Sequence, residues 1–281
     1  PQKTVTMYYK FGRHKNLHLL CASAFASADF SKTHTFSGRR YKWGYFPFTE
    51  RYSEIESIIL KKKSYSILWV ARMIDWKHPE IPVQLAKLLK EANYSVSMTL
   101  IGNGEKQDFI KKLISDYDLK ATVQLIDSLT PENVRKQMEQ SEIFIATSDR
   151  NEGWGAVVNE AMNSGCAVVA SHAIGSVPFL IQDETNGIIF KDGDIQDLFH
   201  KVVWLLDNPI QRQQIGINAY YTIAEQWNAQ NAASRLLTLS QCLLAGENTP
   251  FSEGVCSNAE IIEDNWYVNE NSLFNTMSSR S

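Results

Sequence analysis

From residue 66 onward, short apolar runs alternate with stretches whose apolar positions recur every three to four residues. Residues 66–70 (Ser66-Ile67-Leu68-Trp69-Val70) read as a buried strand. Residues 80–92 follow, with Ile81, Leu85, Leu88, Leu89 and Ala92 on one helical face. The alternation continues with a strand at 96–101 and a helix at 105–117 carrying Phe109, Ile110, Leu113 and Ile114. Residues 123–126 form the next strand. Thr130-Pro131 then opens a helix, Thr as N-cap and Pro at the first helical position. A strand at 143–146 precedes a helix at 156–164, which Gly165 terminates; strands at 166–170 and 187–190 close the set.

Strands alternating with helices at this spacing predict βαβ units, hence an α/β fold: a Rossmann-like, doubly wound parallel sheet. Two amphipathic helices follow, marked by Ile195, Leu198, Phe199, Val202, Val203 and Leu206, and by Ala232, Ala233, Leu236, Leu237, Leu239 and Leu243. Three parts are predicted: residues 1–50, a main domain over 51–246, and a polar, irregular tail over 247–281 that is mobile past Asn269. The first part offers a strand at 17–21, a helix at 22–29 and a basic loop at 38–44, about one βα unit and too little for its own core. It reads as the remnant of a second α/β domain or as an appendage of the main sheet.

Composition removes several function classes. The 281 residues are 44% apolar, enough for a sizeable core, and a net charge of −3 gives no general footprint for nucleic acid. No run of eighteen apolar residues marks a membrane helix. Cys21, Cys166, Cys242 and Cys256 form no C-x-x-C pair and no zinc-ligand spacing with histidine, so they read as free thiols of a cytoplasmic protein. Pro1 in place of Met points to a start further upstream.

Candidate chemistry gathers after the predicted strands, where ligands bind in open α/β sheets. Asn151-Glu152-Gly153-Trp154-Gly155-Ala156-Val157 is a glycine-flanked loop running into a helix, and Glu160 follows Glu152 by eight positions. Gly153 and Gly155 allow close approach of backbone to phosphate, and a helix start presents free N–H groups to an anion. The alternative is a plain strand-to-helix turn. Arg72 and Lys77, after the first strand of the series, can neutralise a diphosphate; alone they also fit two solvated surface charges. Glu152 and Glu160 would face hydroxyl groups, since a carboxylate repels phosphate but accepts from a vicinal diol. Gly102-Asn103-Gly104 follows another strand; it is either a turn lining the nucleotide pocket or a tight turn only. As a dinucleotide fingerprint it fails, because Gln107 stands where a third glycine belongs. That failure argues against a nicotinamide-dependent dehydrogenase.

These motifs, with Gly165-Cys166-Ala167-Val168-Val169-Ala170 and Asn186-Gly187, run from about residue 66 to 244 in an order that resembles a known family. The chain resembles retaining glycosyltransferases of the GT-B architecture with an E-x7-E motif, the group 1 type. It is most similar in flavour to enzymes of bacterial capsular, exopolysaccharide and lipopolysaccharide synthesis. The resemblance implies a nucleotide-sugar donor (UDP-, GDP- or similar), a glycan or lipid-linked acceptor, transfer with retention, no metal or other cofactor, and a cytoplasmic setting with peripheral attachment of the full-length enzyme to the inner membrane. By position it implies Arg72, Lys77 and Glu152 as catalytic residues, the cations on the diphosphate and Glu152 on the transferred sugar. It further implies donor contacts from Gly102, Asn103, Gly104, Gly153, Trp154, Gly155 and Val157, ribose recognition by Glu160, and backbone near Ile126 meeting the base. The sequence departs from the pattern at Asp127, where glycine is usual, and at Cys166-Ala167 in place of the frequent x-Pro. Residues 1–50 would be the last piece of an acceptor-side domain, with 42–47 as the crossover. The other reading is a non-catalytic nucleotide-sugar-binding module that needs a separate acceptor domain.

Overall fold

The computed structural model describes residues 6, 8–12, 14–268 and 272–276. In chain order the elements are β1 (Leu19–Cys21), α1 (Ala26–Ser31), β2 (Arg40–Lys42), α2 (Ile55–Leu60) and β3 (Lys63–Val70). There follow α3 (Glu80–Glu91), β4 (Ser97–Ile101), α4 (Gln107–Asp116), β5 (Val123–Ile126), α5 (Pro131–Gln140), β6 (Ser141–Ala146) and α6 (Ala156–Asn163). The series ends with β7 (Ala167–Ser171), α7 (Val177–Leu180), β8 (Ile188–Phe190), α8 (Ile195–Asp207), α9 (Pro209–Tyr221) and α10 (Ala229–Leu244).

β3 to β8 form one six-stranded, all-parallel sheet in the order β5-β4-β3-β6-β7-β8. Because side chains alternate across a strand, each strand feeds two cores. Ile67, Trp69, Met98, Leu100, Ile143, Ile145 and Val169 face the layer holding Val83 and Leu89 of α3, Ile110 of α4, and Leu198 and Val202 of α8. Leu68, Ile101, Phe144, Ala146, Val168 and Ala170 face the other, with Met138 of α5, Val158 and Met162 of α6, and Leu239 of α10. The predicted cap holds: Thr130 Oγ1 accepts from Asn133 N at 3.4 Å, and Pro131 opens α5.

The structure corrects the reading of residues 38–44. They contain β2, which pairs in parallel with β1 through Leu19–Arg40, Leu20–Tyr41 and Cys21–Lys42. Arg39, Arg40 and Lys42 made this stretch look like a basic loop. Its guanidinium is instead buried and donates to Ser27 O at 2.9 Å and Thr35 O at 2.6 Å, tying β2 to α1.

The tail is irregular, as its polar composition implies, yet part of it is fixed. Lys42 N donates to Ser257 O, Cys256 N to Lys42 O and Ala259 N to Arg40 O, at 2.8 to 2.9 Å, so residues 256–259 extend the small sheet on its β2 edge. Backbone pairing of this kind is independent of side-chain apolarity, which is why composition gave no sign of it. The mobility expected past Asn269 falls largely on 269–271 and 277–281, outside the described residues. All four cysteines are free, and Cys21, Cys166 and Cys256 are buried.

Candidate donor-binding site

In the order β5-β4-β3-β6-β7-β8 the chain winds outward one way from β3 and the other way from β6. The loops leaving β3 and β6 therefore diverge, and a crevice opens at the carboxyl ends of these two strands. A cleft of about 340 Å³ lies there. The β3 end contributes Val70, Ala71, Arg72 and Lys77, and the β4 end Ile101 and Gly102. Ser128 and Leu129 come from the β5–α5 connection, Pro131 and Val134 from the start of α5, and Ala156, Val157 and Glu160 from α6.

Gly155 is why α6 starts where it does. It adopts φ +81°, ψ 59°, a left-handed conformation open to glycine, and a Cβ there would sit 2.9 Å from Ile174 and 3.3 Å from Glu152. The turn leaves the first-turn amides of Ala156 and Val157 without intrahelical partners at the cleft wall. Gly102 answers a different demand. A Cβ on it would lie 1.9 Å from Ala71 O, so only glycine lets the β4 turn close beneath the Arg72 loop. Met73 N then donates to Asn103 O at 2.7 Å and Lys106 N to Met73 O at 3.0 Å.

The charges are arranged unequally. Arg72 is exposed, lies over the Trp76 ring at 5.8 Å, and has no carboxylate partner among the described residues. Lys77 Nζ contacts Glu152 Oε2 directly, with side-chain exposures of only 15% and 16%. Burial, and then the Arg72 guanidinium, push the Lys77 ammonium below its ordinary range. Glu152 is the carboxylate that touches this ammonium, and the two side chains form an ion pair. Glu160 is half-buried on the inner face of α6, and its carboxylate makes no hydrogen bond to another described residue. Burial raises its pKa, and the Arg135 guanidinium pulls the other way. The cleft thus holds one uncommitted guanidinium, one neutralised ammonium, free helix-start amides and one uncommitted carboxylate. Such a set can take a diphosphate at one end and a diol at the other.

Of the residues singled out in the sequence, Arg72, Lys77, Gly102, Val157 and Glu160 line this one cleft, and Glu152 joins it through Lys77. Others sit elsewhere. The Trp154 side chain is 2% exposed, packed against Phe179 and Trp227 with ring centroids 6.3 and 5.9 Å away. Its Nε1 donates to Asn159 Oδ1 at 2.8 Å, so this side chain belongs to the core between the main sheet and the crossover. Ile126 does not itself line the cleft: its carbonyl accepts from Gly102 N at 3.0 Å, and Ser128 and Leu129 just beyond it form the wall. Asn103 and Gly104 support the Arg72 loop from behind, and Gly153 is exposed, with nothing within 4 Å of where a Cβ would sit. Asp127 accepts from Gln107 Nε2 at 2.6 Å, tying the β5 end to α4.

Three features carried no usable signal in the sequence. Ser128 to Val134 enter the cleft because the Thr130-Pro131 cap turns the chain at the rim, a cap that was legible as a helix start only. Arg135 reaches Phe48 O at 2.8 Å and Asn163 Oδ1 at 2.9 Å, contacts 87 and 28 residues away in sequence. Lys62 is buried, donating to Met138 O at 2.7 Å and Ser164 O at 2.9 Å at the C-terminal ends of α5 and α6. No cluster of three or more metal-ligating side chains occurs among the described residues, and none of the described helices is long and apolar enough to cross a membrane.

Comparison with known proteins matches the model of the family "Glycosyl transferases group 1" to residues 51–222. A poly(ribitol-phosphate) alpha-N-acetylglucosaminyltransferase of Staphylococcus aureus (strain COL) is 28% identical over 170 residues, 60% of this chain and 34% of that protein. The amylovoran biosynthesis glycosyltransferase AmsK of Erwinia amylovora is 30% identical over 137 residues, 47% of this chain and 33% of its own length. The chain therefore spans about a third of these two relatives. The crystal structure of Anabaena Alr3699/HepE in complex with UDP and glucose superposes with a TM-score of 0.66 at 19% identity, covering 85% of this chain and 67% of that one, a likeness of fold.

Proposed function

Because the chain belongs to the glycosyl transferases group 1 family, we propose that its cleft binds a nucleotide sugar and that the protein transfers the sugar, with retention, to a glycan or lipid-linked acceptor. The observation that carries this reading is the convergence of Arg72, Lys77, the α6 amides and Glu160 on one crevice at the sheet's switch point. In it, the diphosphate lies between Arg72 and the amides of Ala156 and Val157. Lys77 turns from Glu152 toward the phosphate as the donor enters. Glu160 accepts from the ribose hydroxyls, and Glu152, released from Lys77, accepts from hydroxyls of the sugar. Preorganised cations and amides stabilise the leaving diphosphate as the glycosidic bond breaks, and they supply the charge a metal would otherwise bring. We place the reaction in the cytoplasm and in synthesis of bacterial surface polysaccharide; the names of the two curated relatives support the second of these.

Calorimetry with UDP, GDP and ADP and their glucose derivatives tests the reading. One nucleotide series is expected to bind, and Arg72→Ala to weaken that binding at least tenfold, since hydrogen bonds to a charged group contribute about 1.5–3 kcal/mol each. No binding by any member removes the basis of the proposal. Binding without transfer to any acceptor identifies the chain as a donor-binding module instead.

A further inference from the structure

His78 follows Lys77 and is not among the residues singled out in the sequence, yet it joins the two loops that carry charge at the cleft. It ends the turn Asp75–Lys77 in the left-handed conformation, φ 50°, ψ 57°, a region that histidine tolerates better than most residues with a Cβ. From there its ring spans two elements. Nδ1 faces Glu80 Oε1 at 3.0 Å, at the start of α3, and Nε2 faces Asp149 Oδ2 at 3.3 Å, in the turn after β6. Asp149 in turn shapes the approach to Glu152. Its Oδ1 accepts from Asn151 N at 2.7 Å and its carbonyl from Glu152 N at 3.0 Å. One imidazole thus links the backbone beside Lys77 to the backbone that sets Glu152. The side chains of His78, Glu80 and Asp149 are 30%, 20% and 25% exposed, so these contacts are screened less than those of a surface pair.

A neutral imidazole carries one N–H, and an ionised carboxylate only accepts. Both contacts are therefore hydrogen bonds only when the ring carries two protons. With one proton, a lone pair faces a carboxylate and one link is lost. The other charged groups around the ring are Asp75 on its own turn, Asp192 after β8, whose carboxyl burial raises and His78 draws back, and Lys106, whose Nζ meets Asp75 Oδ1 at 2.7 Å and Glu80 Oε2 at 3.5 Å. Lys77 is taken up by Glu152. Two further ties between the loops, Asp149 N to Trp76 O at 3.0 Å and Thr147 Oγ1 to Lys77 O at 2.7 Å, do not titrate. We propose that His78 is a positioning residue of the donor site: with both ring nitrogens donating, it locks the loop of Arg72 and Lys77 to the turn before Glu152, so that Lys77 leaves Glu152 for the diphosphate by side-chain rotation alone. This rests on the donor reading above. Loss of one ring proton unlocks the loop, and the donor must then reorder it on binding.

The test is calorimetry on the full chain with the tightest binder among UDP, GDP and ADP, from pH 6 to 9, for the parent, His78→Asn, His78→Gly and Asp149→Asn. The nucleotide's own titration is common to all four and cancels in the affinity ratios. His78→Asn suits the left-handed backbone and lacks the nitrogen that faces Asp149. The parent is expected to bind about fivefold more tightly than His78→Asn at pH 6 and to approach parity with it at pH 9. That is less than the roughly tenfold or more that one charged hydrogen bond is worth, because the backbone ties remain. His78→Gly, unstrained at this φ, is expected to follow His78→Asn. In Asp149→Asn the new amide can donate to a ring nitrogen that has lost its proton, so the parent's pH-dependent step is expected to disappear. A ratio of parent to His78→Asn that stays constant with pH overturns the proposal. A His78→Gly variant that binds like the parent overturns it too, as does an Asp149→Asn variant that keeps the parent's step. Should Asp149→Asn not fold, the two His78 variants decide the matter. A parent chain that binds none of the three nucleotides sinks the donor reading itself, a distinct failure.

Discussion

Replacing Glu152 by glutamine is expected to move two affinities in opposite directions. In the cleft Glu152 neutralises Lys77, the two side chains only 16% and 15% exposed. A diphosphate must compete with that carboxylate for the ammonium, and its own charge is repelled by it. At a separation of about 6 Å and an effective dielectric of about 20, one such repulsion is roughly 2–3 kcal/mol. Halving it for screening and for water in the open cleft leaves roughly 1.4 kcal/mol, or about tenfold tighter binding of UDP to Glu152→Gln. The nucleotide sugar gains the same relief but loses charged acceptance of its sugar hydroxyls, about 1.5–3 kcal/mol per hydrogen bond. The preference for UDP-sugar over UDP therefore falls by about ten- to a hundredfold. Breaking a largely buried pair also costs stability. With the glutamine oxygen still accepting from Lys77, about 2 kcal/mol is expected, a drop of roughly 4–8 °C in Tm. Calorimetry with UDP, UDP-glucose and UDP-N-acetylglucosamine, alongside thermal unfolding, reads all three numbers. A loss of stability with UDP affinity unchanged and the sugar preference intact would show Glu152 to be a structural partner of Lys77 only.

Three further outcomes follow from burial. Glu160→Gln is expected to weaken nucleotide binding at least tenfold, at about 1.5–3 kcal/mol per charged hydrogen bond, and to raise the Tm of the ligand-free chain, because it removes a carboxylate whose ionisation burial opposes; a lower Tm would refute this reading of the ligand-free cleft. Burial pushes Asp183 up to about 6. An acid raised on folding costs stability once ionised, so its penalty disappears as pH falls through about 6 toward its unfolded value near 4. The parent should accordingly gain Tm relative to Asp183→Asn between pH 7 and pH 5, and a pH-independent difference contradicts this. Lys62→Met removes two charge-assisted hydrogen bonds to helix-end carbonyls and relieves a buried ammonium, a net loss of about 1–3 kcal/mol; an undiminished Tm would mean that the burial cost dominates.

The main sheet was legible because its central strands are buried on both faces and read as short apolar runs, and because helices of one apolar stripe separate them. The order of motifs then placed Arg72, Lys77 and Glu160 on one rim. What stayed hidden was decided by long-range contacts. Trp154 sits inside a glycine loop, where an aromatic ring reads equally as a ligand platform or as a core plug; Phe179 and Trp227, which fix the second role, are distant in sequence. Arg40 read as part of a basic loop because its partners are backbone carbonyls of Ser27 and Thr35, which leave no mark in residue identity. Arg135 was invisible for the same reason, through Phe48 O. The pairing of Lys77 with Glu152 could not be read from spacing either, since 75 residues separate them and each has a plausible role alone.

The most direct measurement is a crystal structure of the chain soaked with UDP-glucose or UDP-N-acetylglucosamine. The account predicts the diphosphate within hydrogen-bond reach of Arg72 and of the Ala156 and Val157 amides, the ribose hydroxyls on Glu160, and Lys77 turned from Glu152 toward phosphate. A nucleotide bound away from the crevice between β3 and β6, or bound there with the Lys77–Glu152 pair intact and Glu160 untouched, would contradict it.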